Sequence, residues 1–189
     1  GTNPPLHHTI VITSAKALVT EIEVMKINET TFHEEDVSPF VLYFDNSGTV
    51  KEITNFMLNE GTYTKIKFEI HKPNATEPIP DMDFRTGPNE NQRFSLIITG
   101  TFDGQPFTIR LKHSFSITVN ANNNIIITNN QKGNITMLVH RFLWFINGGD
   151  DINPCDGEDH DDLIQQNITS SFINVFTDDN GDGQPDGGH

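Results

Sequence analysis

Asp178, Asn180, Asp182 and Asp186 set oxygen-bearing side chains along one short stretch near the end of the chain, with Gly183 directly after the third. This D-x-N-x-D-G spacing is that of a calcium loop. Hard oxygens at alternate positions wrap one hard cation, the glycine permits the sharp turn, and the backbone carbonyl of Gln184 can add a ligand. The chemistry it predicts is capture of Ca²⁺, not a reaction. No exiting helix follows, and His189 stands at the twelfth loop position, where a bidentate Glu would close the shell. A half site of this kind binds weakly, with Kd on the order of 10⁻⁴ M or poorer, unless further acids join. Asp150, Asp151, Asp156, Glu158 and Asp159 are the candidates for that.

Other chemistries find less. Cys155 and His160 make a C-x₄-H fragment with no partner pair, so a zinc site is not expected. There is no G-x-S-x-G elbow, and acids around Cys155 disfavour its thiolate. Glu21 and Glu23 share a strand face, which reads as two solvated acids rather than a glycosidase pair. Tyr63 and Trp144 could stack on a sugar ring if exposed, and they are the candidate ligand-binding residues. Otherwise Trp144 is a buried anchor and Tyr63 belongs to a packed second sheet.

The chain has 189 residues and a net charge of −14. Residues 1–149 hold all 12 Lys and Arg against 15 acids, while residues 150–189 hold 11 acids and no Lys or Arg. An acidic end repels nucleic acid and anionic lipid, so neither is an expected partner. A single cysteine allows no internal disulfide. No apolar run approaches the ~20 residues that cross a bilayer as a helix.

The elements that must position these residues read mainly as strands. Thr9–Ser14, Ala17–Ile27, a segment opened by Pro39, and Gly61–His71 all read as strands; in the third, Phe40, Leu42 and Phe44 alternate with Val41 and Tyr43. In Gly61–His71, Ile66, Phe68 and Ile70 face one way and Tyr63, Lys65 and Lys67 the other. His33–Asp36 reads as a polar loop, and residues 72–90 as a long proline-containing one. Residues 94–111 form a hairpin about Asp103-Gly104, a strong tight-turn dipeptide. Turns are expected at Asp45–Gly48, Asn120–Asn124 and Asn129–Gly133. Leu163, Ile164, Ile168, Phe172 and Val175 recur at helical spacing, predicting one amphipathic helix over about 161–176, capped by Asp161 or Asp162.

The stretch Leu58–Phe68, with Gly61-Thr62-Tyr63-Thr64-Lys65-Ile66, resembles the signature strand of a family of bacterial envelope lipoproteins known only as a domain of unknown function. The resemblance extends through Gly100–Phe107, Trp144-Phe145 and the terminal Asp-rich loop. Ile12-Thr13-Ser14-Ala15 stands where other members begin Thr-Asp-Ala-Pro. What the resemblance implies is a leader-bearing, lipid-anchored β-sandwich, with no catalytic residues to transfer.

The expectation is therefore a mainly β fold: an antiparallel two-layer β-sandwich, Ig-like or transthyretin-like, with one C-terminal helix and an acidic loop. Residues 1–8 read as a disordered leader remnant and 9–189 as one domain, ending in the calcium-like loop 178–189. The expected role is non-catalytic, structural or adhesive, in a bacterial envelope or secreted. A cell-surface glycan or an envelope protein is the partner class, and membrane attachment comes only through a lipid anchor. The alternative is a carbohydrate-binding module or adhesin subunit.

Overall fold

Strand β1 (Ile10–Lys26) is 17 residues long and organises the whole domain. In this computed structural model, residues 8–44, 58–128 and 134–186 are described. The expected turns at Asp45–Gly48 and Asn129–Gly133 lie outside them, as do residues 1–7 and the end of the loop, 187–189. The fold is mainly β, with antiparallel sheets and one C-terminal helix.

One flank of β1 takes two strands in succession. β5 (Leu96–Phe102) pairs along Ile10–Ala17, and β4 (Gly61–Ile70) along Val19–Lys26. They meet at Leu18, whose N–H donates to the Ser95 carbonyl at 3.0 Å and whose carbonyl accepts the His71 N–H at 2.8 Å. The opposite flank takes β3 (Phe40–Tyr43) and then β2 (His33–Glu35). Thus His33–Glu35, expected as loop, is a short strand, because β1 offers it an open edge. Beyond β5 and β4 lie β6 (Gln105–Leu111) and β7 (Phe115–Ile127). The hairpin between β5 and β6 turns at Asp103 and Gly104, both with positive φ (50° and 83°), as a two-residue turn of this kind demands.

Register shifts decide which side chains face inward. Ala15, Ala17 and Val19 are buried, then Ile22 and Val24; the shift between Val19 and Glu21 moves the pattern by one residue and keeps both halves of β1 on one core. A second shift, between Tyr63 and Lys65, turns Tyr63 inward with Ile66, Phe68 and Ile70. On β7 the same irregularity absorbs Asn120–Asn124. That run was expected to turn, but it stays in one strand, and the Asn122 N–H donates to the Asn174 side chain at 2.9 Å.

The inner face is covered by the C-terminal part of the chain. Trp144 and Phe145 follow a 3-10 turn at Arg141–Leu143, and Ile152 follows the two-residue strands β9 (Ile146–Asn147) and β10 (Asp150–Asp151). Helix α1 (Asp161–Ser170) adds Ile164 and Ile168. Strands β8 (Ile135–Val139) and β11 (Phe172–Thr177) form a separate pair that adds Phe172 and Val175. This arrangement is consistent with a β-sandwich.

The helix is shorter than the expected 161–176. After Ser171 the residues Phe-Ile-Asn-Val-Phe-Thr are rich in β-branched and aromatic types, and β8 supplies their hydrogen bonds, so they run as strand. Neither Asp161 nor Asp162 caps α1; a 3-10 turn at Gly157–His160 leads straight into it, and both acids lie in its first turn.

The outer face carries a smaller cluster, Leu18, Phe84, Phe94 and Ile97, under the proline-containing excursion that leaves at His71 and returns at Ser95. That excursion is well anchored. Lys16 Nζ lies 2.6 Å from both Asp81 and Asp83, and the Arg85 and Arg93 guanidiniums donate to the carbonyls of Glu77 and Pro73.

Candidate functional site

The Asp-rich loop begins where β11 ends. Asp178 is fully buried, which a carboxylate tolerates only when its oxygens are bonded. Oδ1 accepts the Asp182 N–H at 3.0 Å; Oδ2 accepts the Gly183 N–H at 3.0 Å and the Thr136 hydroxyl at 2.9 Å. Gly181 and Gly183 have φ of 70° and 79°, which lets the backbone turn around this carboxylate. Asn180 accepts the Asp182 N–H, and Asp182 accepts the Gln184 N–H at 2.8 Å. Asp186 closes the loop: its Oδ2 accepts the Asp179 N–H at 2.7 Å and its own N–H returns to the Thr177 carbonyl.

The structure thus brings Asp178, Asn180, Asp182, Gln184 and Asp186 together in one loop, with backbone N–H groups as the partners of the acids. The donor chemistry suits Ca²⁺: Asp178 Oδ1, Asp182 Oδ1 and Asp186 Oδ2 each accept one hydrogen bond and keep a lone pair, whereas Asp178 Oδ2 accepts two. Yet among the described residues no group of three or more His, Cys, Asp or Glu side chains is placed to hold a metal ion. Three of the further acids named from the sequence are engaged elsewhere. Asp151 accepts the His8 N–H, Asp156 accepts from Asn153, and Glu158 pairs with Lys112.

The two aromatic candidates are interior residues. Tyr63 is 1% exposed, and its hydroxyl donates to the Asn59 carbonyl at 2.7 Å. Trp144 is fully buried, and its indole Nε1–H donates to Ser171 Oγ at 2.8 Å. Neither presents a face to a ligand, so the sugar-stacking role expected of them is withdrawn. For Tyr63 the cause is the register shift beside it; for Trp144 it is the closure of the core by its own segment.

Glu23 pairs with Lys67. Burial, then the like charges of Glu23, Glu34 and Glu69, raise the Glu21 carboxyl above the usual range. Burial, with Glu158 and Asp162 adding like charge, pushes the Asp161 carboxyl up to about 6. Cys155 is exposed.

One feature escaped the sequence reading. A cleft of about 310 Å³ opens between the start of β1 and the 3-10 turn Arg141–Leu143. Ile10, Ile12, Phe145 and Ile146 give it apolar walls, and His8, Asp151, Arg141 and Phe142 add polar groups and an exposed ring. His8 is not part of a disordered leader. Its Nδ1 lies 2.6 Å from Asp103 Oδ2, and its ring stacks on Phe102 at 4.7 Å. The sequence signal at this place is the continuous apolar run Phe142-Leu143-Trp144-Phe145-Ile146, too short for its spacing to decide between strand and helix. No family model, curated protein or solved structure gives a significant match to the chain.

Proposed function

We propose that this chain is a non-catalytic β domain with a structural or adhesive role. The observation that carries this reading is how the candidate residues are used. The Asp178 carboxylate, the Trp144 indole and the Tyr63 hydroxyl each make hydrogen bonds that hold the fold. An enzyme's reactive groups instead face a space where substrate can sit. Placement in a bacterial envelope or among secreted proteins, with a lipid anchor, rests on the sequence resemblance alone. A surface glycan or another envelope protein is the partner class that follows from it.

The Asp178 loop is the clasp in this reading. It ties the end of β11 to Asn134 and Thr136, beside the start of β8. Ca²⁺ is proposed as its organiser, held by Asp178, Asn180, Asp182, the Gln184 carbonyl and Asp186. The spacing and the spare lone pairs support the ion, and the acids of residues 150–189, with no Lys or Arg among them, give it a favourable field. The test is thermal melting with and without millimolar Ca²⁺, on wild type and Asp178→Asn. A rise in wild type that the variant lacks is expected; no rise removes calcium from the account. The clasp itself is tested by Asp178→Ala. Amide exchange at Asp182 and Gly183 should accelerate, and unchanged exchange would show that Asp178 does not organise the loop.

A further inference from the structure

We propose that the cleft between His8, Phe142 and Asp151 is a binding site for a neutral carbohydrate ring. This deepens the adhesive side of the proposed role and rests on that side; the structural side stands without it. The volume, about 310 Å³, lies at the low end of small-molecule sites, about 300–1,000 Å³, and suits a single ring.

Its charged groups come in opposite signs. His8 bonds to Asp103 through its ring and to Asp151 through its backbone N–H, and Arg141 lies on the same cleft. No excess charge selects an ion, whereas imidazole, carboxylate and guanidinium together offer both acceptors and donors for hydroxyl groups. These groups are held in place before any ligand arrives. His8 is stacked on Phe102, and Arg141 Nη1 donates to the Phe44 carbonyl at 3.0 Å.

Phe142 supplies the other half of sugar recognition. It is 69% exposed, while Trp144 and Phe145, two and three residues on, are 0% and 2% exposed. Its ring stands at the cleft with His140 alongside at 5.3 Å. A sugar has an apolar C–H face for this ring and for Ile10 and Ile12, and hydroxyls for the polar groups. An acyl chain would press those polar groups against hydrocarbon without adding a bond to any of them, and a charged ligand would meet repulsion from one sign or the other.

The test is saturation-transfer NMR with free glucose, galactose, mannose, fucose and N-acetylglucosamine. The proteins are wild type, Phe142→Ala, Asp151→Asn and, as an exposed-aromatic control, Tyr43→Ala. At least one sugar should bind wild type and the control, lose its signal with Phe142→Ala, and bind Asp151→Asn about tenfold more weakly. Amide shifts in wild type should change at Ile10, Ile12 and Phe145. No binding by any of these sugars, binding unaffected by Phe142→Ala, or shifts confined to another region would each overturn the site. Such a failure leaves the structural reading standing, because its clasp is tested separately by the exchange rates in Asp178→Ala.

Discussion

The indole N–H of Trp144 donates to Ser171 Oγ at 2.8 Å, with both residues fully buried and 27 positions apart. Ser171 in turn donates to the Ile168 carbonyl at 2.6 Å, and Asn167 donates to the carbonyls of Trp144 and Ile146. The end of α1 is thereby bonded to the segment that enters the core ahead of it. Ser171→Ala would leave the indole N–H buried without a partner, at a cost of about 1–3 kcal/mol. Urea unfolding should show the loss. Trp144 is the sole tryptophan, so its fluorescence reports this site directly. An unchanged midpoint would mean that the bond contributes nothing net.

Lys16 fastens the excursion between His71 and Ser95 to β1. Burial pulls its ammonium down, but hydrogen bonds and charge from Asp81 and Asp83 outweigh this and hold it above the usual lysine value. Asp81 moves the opposite way: burial raises it, yet the Lys16 and Asp83 N–H bonds bring it below the usual range. The Asp81 contribution is present above the ordinary carboxylate value and is lost as pH falls through the lower folded value. Lys16→Met keeps the aliphatic stem near Phe84 and removes the charge, costing about 1–2 kcal/mol after discounting for partial exposure. Limited proteolysis should then cut within residues 73–94 faster than in wild type, with the difference shrinking in acid.

Asp161 has the opposite pH sign. Its carboxyl stands at about 6 in the fold against an ordinary 3.8, so the folded state holds the proton more tightly. Its favourable contribution is complete below the ordinary value and is lost as pH rises through about 6. At pH 7 the charged form therefore opposes folding. Asp161→Asn should stabilise the domain there by about 1 kcal/mol, after discounting for solvent screening, and the gain should vanish toward pH 4. Melting curves across that range check it; a gain independent of pH would point to another cause.

Gly100 lies in β5 where a side chain would have no room. A Cβ there would sit 2.2 Å from the Val11 carbonyl oxygen and 2.7 Å from the Phe107 ring. Because one obstacle is backbone, side-chain rearrangement cannot relieve it. Gly100→Ala should destabilise by about 1–3 kcal/mol, seen as a lower melting temperature. Gly104 makes a useful contrast, because nothing lies within 4 Å of a Cβ there and only its positive φ of 83° resists substitution.

Much of this protein was legible from alternation alone. β5, β6, the Ile66–Ile70 half of β4 and their inward rows follow from side chains that change face every residue, and Asp103-Gly104 marks its hairpin because few dipeptides accept two positive φ values. The Asp178 loop could also be read directly, since its turns are made by residues adjacent in sequence.

What tertiary structure alone decided are the positions where a partner strand sets the outcome. Alternation assigns Tyr63 to the outer face; the register shift against β7 puts it in the core. Helical spacing carries α1 through Phe176; β8 takes Phe172–Thr177 as strand. Burial of Trp144 and Phe145 fixes the backbone so that Phe142 is left outside, beside a cleft built from distant segments. Periodicity is a property of neighbours along the chain, whereas register, closure and concavity depend on contacts between residues far apart, and those contacts are not written locally.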